Sequence, residues 1–393
     1  MRLTRKSLLG LAVAAVAIPS AIAVIPAASA ATGPDLLPLT VTNNSGRGEA
    51  VHLYVLGTSG GRLGYVTEAG AFTPWTGGAN PPVAAPDVSI DGPAAGASKT
   101  IEVPRGLSGR MYMSFGDKLD FKLSEDGLVQ PAPWAAGDGN ADILFDWSEF
   151  TYNDAGLWLN SSQVDMFAVP HAVSVTSGNG ETSTTGRLED GGRDTIIDGL
   201  RADAAFRGLV QERSDGTVLR VLAPGKGADA GDFDESYLSS YIDSAWSAYA
   251  GSDLTVKPFA DQDTVFKGRT SGDVMTFTDA TGAKVASITK PSTADVWGCD
   301  GNLAAPNDLV TGPIARSLCA ALTRGTLGSQ PVEPSTDPST FYRNDPANEY
   351  AKLIHDTMVD GKAYAFAFDD VANQESLVHS DDPASIGITL TAF

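Results

Sequence analysis

The sequence predicts a mostly β protein with a mixed α/β segment, on three observations. From about Leu37 to Val175, short runs of alternating apolar and polar residues are broken by Gly, Pro and Asn, as antiparallel strands and their turns require. After about Ser177 the period lengthens, and helical stretches interleave with strand-like ones. A last run, "IGITLTAF", returns to strand spacing.

The first thirty residues are expected to be removed. Arg2, Arg5 and Lys6 precede an apolar run from Leu8 to about Ala23, and Ala28-Ser29-Ala30 supplies the small-residue pattern of a secretory signal peptide cleaved near Ala30. "TRKSLL" is close to a twin-arginine signal but carries Lys6 where an arginine is needed, which leaves the export route open. No later stretch approaches the roughly twenty apolar residues of a membrane helix. Without the three basic residues of this segment the chain has 24 Lys and Arg against 48 Asp and Glu, a formal charge of −24. Such a field repels phosphate backbones, so nucleic acid and membrane surfaces are excluded as partners. A secreted, monomeric protein is expected.

Residues 31–177 read as one β domain, a sandwich or a barrel, with strands in "LTVTN", "AVHLYVLG", "KTIEVP", "RMYMSF", "DILFDWSEFTY" and "VDMFAVPHAVSV". The Pro- and Gly-rich stretch from Gly70 to Ser98 fits long loops, since Phe72 and Trp75 lie within it. Residues 178–359 read as a mixed α/β domain. "DTIIDGLRADAAFRGLVQER", from Asp194, has a helical period with Ile197, Leu200, Ala204 and Leu209 as its buried face. Further helices are expected from Glu235 to Tyr249 and from about Asn307 to Leu322, with strands in "TVLRVLAP" and "DVMTFTDATGAKVASIT". Beyond a Pro/Ser/Thr connection, Asp345-Pro346 offers an N-cap and a first helical residue for "ANEYAKLIHDTMV". Strands in "AYAFAFDDV" and "IGITLTAF", within 360–393, are expected to rejoin the β domain and make the mixed segment an insertion. Cys299 and Cys319 are the only cysteines, and an exported chain would join them, closing a loop of about twenty residues for roughly 3 kcal/mol.

Three motifs fail on inspection. "GTSGG" at Gly57 is one residue from a serine-protease motif, but His52 is the only earlier histidine and lies in the same strand. Asp138, Asn140, Asp142, Asp146 and Glu149 match EF-hand positions, yet Ile143 stands where the loop needs a turning glycine. His52, His171, His355 and His379 show no metal-ligand spacing, so no metal or cofactor is expected.

The stretch "DWSEFTYNDAGLWLNSSQVDMFAVP" carries the chemistry. Strand alternation points Glu149, Thr151 and Asn153 to one face and Phe150 and Tyr152 to the other. A hairpin folding near Leu157 would return Asp165 toward Glu149, with Trp158 in the connecting loop. Two acids facing one surface suit glycoside hydrolysis, one protonating the leaving oxygen and the other activating water or attacking. An acidic hairpin with no reaction to perform has the same spacing, and the residues alone do not separate the two.

The segments "EFTYNDAGLWLNSSQVDMF", "CDG…CAALTRGTL", "NEYAKLIHDTMVDGKAYAFAFDDV" and "VHLYVLGTSGGRLGYV" resemble glycoside hydrolase family 64, the thaumatin-like laminaripentaose-producing β-1,3-glucanases. The resemblance runs in order over nearly all of the chain after residue 30. It implies a thaumatin-like β-barrel or sandwich beside an α/β domain, flanking a wide groove for β-1,3-glucan, and an inverting reaction without metal. It makes Glu149 the general acid and Asp165 the general base, and it assigns sugar contacts to Thr151, Asn153, Trp158 and Ser162. Asp369 and Asp370 end an expected strand and are read either as residues of its closing turn or as binding glucose hydroxyls. Phe368 stands where many relatives have Tyr, and Ser162 where some have Thr; Lys118 is a further residue within reach of the groove. Trp147, Phe150 and Trp158 are the apolar neighbours that would desolvate the acid. Inversion needs acids about 6.5–9.5 Å apart, which diagonal positions on paired strands satisfy and directly opposite ones do not. The rival functions are a non-catalytic glucan-binding or antifungal protein on the same scaffold and a calcium-dependent adhesion module.

Overall fold

A computed structural model describes residues 33–125 and 127–393. The signal segment and its cleavage point near Ala30 lie outside these residues. No helix among the described residues is long and apolar enough to cross a membrane.

Two sheets stack face to face and enclose one core. The smaller sheet orders its strands Thr182–Thr185, His171–Ser177, Pro383–Leu390, Leu36–Asn43 and Ser98–Pro104. The larger runs Leu377–Ser380, Gly156–Ser161, Leu144–Asn153, Leu107–Phe115, Val51–Ser59, Arg62–Val66 and Phe72–Pro74, with Ile90–Asp91 paired to Val51–Ser59. Alternation explains the layer between them: Leu37, Leu39 and Val41 from one sheet meet Val55, Met111, Phe150 and Leu159 from the other. Each such side chain contributes about 1.5–3 kcal/mol by leaving water. The arrangement is a sandwich. No sheet among the described residues closes on itself, so the barrel alternative is set aside.

The outer face of the large sheet presents the opposite residues, and half of it is covered. Tyr54, Tyr112, Phe145 and Trp147 pack against a second core built from the mixed segment, including Ile196, Leu200, Trp246, Ile314, Leu318 and Tyr350. That segment holds a short sheet, Met166–Phe167 with Val218–Leu222 and Val210–Glu212, and a five-stranded sheet ordered Lys284–Thr289, Val274–Thr278, Phe266–Ser271, Leu254–Val256 and Val332–Glu333. Helices Gly192–Ala202, Pro224–Ala230, Ser239–Ala248, Thr293–Gly298, Thr311–Thr323 and Glu349–Thr357 surround them. Cys299, just after Thr293–Gly298, is disulfide-bonded to Cys319 in Thr311–Thr323, as expected.

Several local expectations are corrected. The helix from Asp194 ends at Ala202, followed by a turn and the strand Val210–Glu212; Phe206 takes the buried place given to Ala204, which is exposed. The helix Glu349–Thr357 is capped by Asn348, whose side chain accepts from Ala351 N at 3.1 Å, not by Asp345. "VDMFAVPHAVSV" divides into Met166–Phe167 and His171–Ser177, which join different sheets. "AYAFAFDDV" is no strand. Ala363, Tyr364, Ala365 and Phe366 are buried in succession, and turns follow, with Asp369 N bonded to Phe366 O and Val371 N to Phe368 O.

Candidate active site

Glu149 and Thr151 stand on the uncovered part of the outer face, while Phe150 and Tyr152 fill the sandwich core. Across the strands Glu149 is opposite Asn160 on one side and Arg110 on the other; Thr151 is opposite Trp158 and Ser108. Phe150 therefore lies behind the sheet and does not desolvate Glu149. Asn153 Oδ1 accepts from Ala155 N at 2.8 Å, closing the hairpin at Asp154-Ala155, earlier than Leu157. This puts Trp158 in the return strand rather than a loop, with its ring stacked on His379 at 4.5 Å and 22°.

Asp165 is not on the return strand, which ends at Ser161; Asn160 occupies the place across from Glu149. Other bonds carry Asp165 to the same face. Buried Asp146 accepts from Ala168 N and Val169 N at 2.9 and 3.0 Å, and Asp165 O accepts from Ala223 N at 3.0 Å. Upstream, Gln163 O accepts from Tyr350 Oη at 2.6 Å, and Gln163 N donates to Tyr364 O at 2.8 Å. The Asp165 segment is thus tied both to the large sheet and to the mixed segment.

Arg110 stands between the two acids. Its Nε donates to Glu149 Oε1 at 2.9 Å, and its Nη2 lies 2.9 Å from the same oxygen and 3.8 Å from Asp165 Oδ2. Its guanidinium sits 4.7 Å over the Trp147 ring, and Nη1 donates to Gln130 Oε1 at 3.2 Å. Burial alone would lower the Arg110 pKa, but Tyr112, Glu149 and Asp165 outweigh it and raise it above the ordinary value, so the charge is permanent. Lys226, on Pro224–Ala230, approaches Asp165 Oδ1 at 3.4 Å and lies 4.9 Å over the Trp134 ring. The side chains of Glu149 and Asp165 keep 15 and 19 % of their surface open, enough for a substrate to reach both.

The other candidates scatter. Asp369 is fully buried, paired with Arg324 Nη2 and His355 Nε2 at 2.9 Å each and accepting from Ala365 N; it has no surface for a sugar and anchors the turns of 363–373. Asp370 pairs with Arg316 and is partly open, and burial raises its pKa against the opposing pull of Arg316. Ser162 is buried. Lys118 is bound to Asp87 at 2.6 Å, away from the acids. The EF-hand-like residues serve the backbone instead: Asp138 accepts from Ala132 N and Asn140 N, and Asn140 Oδ1 from Asp120 N. In "GTSGG", Gly57, Thr58 and Ser59 end the strand Val51–Ser59, and Gly60 and Gly61 turn into Arg62–Val66.

Sequence reasoning missed Arg110, Lys226 and Asn160. Asn160 Oδ1 is buried with no hydrogen-bond partner among the described residues. The alternation of "RMYMSF" already placed Arg110 and Tyr112 on one face, and that signal was enough to find Arg110.

A family model described as Beta-1,3-glucanase, glycoside hydrolase family 64, matches residues 35–390. Two relatives named Glucan endo-1,3-beta-glucosidase, from Arthrobacter sp. (strain YCWD3) and Cellulosimicrobium cellulans, are each 44 % identical over 393 residues, covering 99 % of this chain and 71 % of their own. The chain is similar to a solved laminaripentaose-producing beta-1,3-glucanase in complex with laminaritetraose, with a TM-score of 0.88, 49 % identity and coverage of 91 % of this chain and 99 % of that one. A beta-1,3-glucanase domain from Clostridium beijerinckii gives a TM-score of 0.77 at 26 % identity, covering 92 and 99 %.

Proposed function

The chain belongs to the β-1,3-glucanases of glycoside hydrolase family 64, and on that basis we propose that it is a secreted endohydrolase that cleaves β-1,3-glucan between Glu149 and Asp165 with inversion. One observation carries the assignment of roles: two partly open carboxylates flank a single buried guanidinium on the uncovered sheet face. On this reading the sandwich and the inserted segment 178–359 are the walls of a thaumatin-like groove, and short oligosaccharides, chiefly the pentasaccharide, are released.

Glu149 gives a proton to the glycosidic oxygen as the bond from that oxygen to the anomeric carbon breaks. Asp165 removes a proton from a water whose oxygen bonds to the same carbon from the opposite side. The spent acid and the protonated base then exchange protons with solvent. Because both Arg110 distances are to the oxygens Glu149 Oε1 and Asp165 Oδ2, the two cannot be farther apart than those distances combined. That limit admits only the short end of the roughly 6.5–9.5 Å of inverting pairs and admits the roughly 5–5.5 Å of retaining ones as well, so inversion rests on the family likeness, and the anomer released first decides between them.

Early-time proton NMR of the anomeric signals during hydrolysis of linear β-1,3-glucan tests the proposal. A product appearing first as the α-anomer supports inversion. First appearance of the β-anomer would overturn the mechanism and leave the hydrolase; no release at all would overturn both.

A further inference from the structure

The cross-strand register extends the site well beyond the acids. Trp158 is opposite Thr151, Thr151 opposite Ser108, Ser108 opposite Thr58, and Thr58 opposite Leu63. Trp75 donates its backbone N–H to Leu63 O at 3.0 Å, one step past the Gly64–Pro74 pair, and so falls on the same face. Its ring packs against Tyr65 at 4.7 Å with a 44° tilt, which agrees with the side, since Tyr65 and Trp75 both pack against the core of the outer face. One row of side chains therefore crosses the sheet from Trp158 to Trp75. At roughly 4.8 Å per strand it spans about 24 Å.

The composition of this row fits one kind of occupant. Three hydroxyls, Thr151, Ser108 and Thr58, lie between two indoles, and none of the six residues is charged. Thr58 is exposed, so the middle of the row is open. Ser108 Oγ and Thr151 Oγ1 already bond each other at 2.8 Å, presenting paired hydroxyls beside the acid. At the far end a depression is lined by Arg62, Leu63, Trp75 and Leu123, and Trp75 Nε1 is buried there with no partner among the described residues. Indole faces stack on the C–H surface of pyranose rings and hydroxyls answer hydroxyls, while Arg62 and Glu125, which both line the depression, are opposite charges that leave it without a net one, as suits a neutral polymer.

We infer that Trp75 and the Thr58–Leu63 strip form a distal carbohydrate subsite, continuous with the acid pair, that binds the far end of a β-1,3-glucan chain and sets how long a chain the enzyme holds. The inference rests on the glucanase reading, because the occupant is the chain that the acids cut.

Glu149→Gln protein is titrated calorimetrically with β-1,3-linked trisaccharide and octasaccharide, alone and with Trp75→Ala or Thr58→Trp added. The Thr58 substitution is on the open surface, so it obstructs the strip even where Trp75→Ala unfolds the protein. Either change is expected to weaken octasaccharide binding at least about fivefold relative to trisaccharide, Trp75→Ala by loss of an aromatic platform and Thr58→Trp by bulk standing in the path of the chain. An unchanged ratio in folded protein carrying either change overturns the subsite and leaves the glucanase reading intact. If the Glu149→Gln protein binds neither sugar and the wild type releases none from the polymer, the glucanase reading fails, and the subsite with it.

Discussion

Arg110 meets Glu149 at a single oxygen: Nε and Nη2 both lie 2.9 Å from Oε1. An oxygen facing two N–H groups of a cation is a poor place for a proton, so with Glu149 as the proposed acid Oε2 would be the oxygen that delivers it. Arg110→Met should lower kcat at least about a hundredfold, since it also leaves two carboxylates facing each other. Arg110→Lys should recover little of this, because a point charge does not reproduce the planar contact with Trp147 and Gln130. Near-normal kcat in Arg110→Met would remove the guanidinium from the mechanism.

Glu149→Gln and Asp165→Asn should each reduce turnover of linear β-1,3-glucan by at least about a hundredfold while glucan pull-down survives. The two substitutions keep shape and remove only the proton chemistry. Activity within a few fold of wild type in either one would exclude that residue.

Asp369 is expected to matter for folding rather than for sugar. Asp369→Ala leaves Arg324 buried without its carboxylate, and breaking a buried pair costs about 3–5 kcal/mol. Thermal unfolding should show that loss. A normal Tm with weakened glucan affinity would instead restore Asp369 to the binding surface.

The pH dependence of stability should contain a term from Glu375. Burial raises its pKa from 4.5 to about 7, with Asp370 adding to the effect, and Oε2 has no partner among the described residues. A raised folded value means that the stability is present below pH 4.5 and is lost as pH rises through 7. Glu375→Gln should therefore flatten the fall in Tm across that interval. The fall will not vanish, because Asp146 and Glu333 are also raised to about 7. Parallel curves for variant and wild type would refute the assignment.

What could be read in advance was what depends on neighbours in sequence. Alternation alone put Glu149 with Thr151 and hid Phe150, and the structure agrees because both faces of that strand are occupied as the pattern demands. The errors arose where distant contacts decide. Asp165 reaches the site through Asp146 and Ala223, which no spacing within the hairpin reveals. Trp158 was misplaced because the turn chemistry of Asn153-Asp154-Ala155-Gly156 was passed over, though Asn153 closes that turn. Asp369 and Asp370 are adjacent and look alike in sequence, yet Arg324 and His355 take one into the interior while Arg316 holds the other at its edge.

The strand Pro383–Leu390 lies between Leu36–Asn43, parallel to it, and His171–Ser177. A ribosome makes the first of these partners hundreds of residues before the strand that joins them. Until that strand emerges, both earlier strands carry an unpaired row of backbone groups, and the inner faces of Leu39, Val41 and Val173 have no closed layer. Closure of the sandwich therefore waits on a strand made long after both of its partners. A premature stop shortly before Pro383 would leave the acid-bearing strand intact and still yield a chain prone to edge-to-edge association.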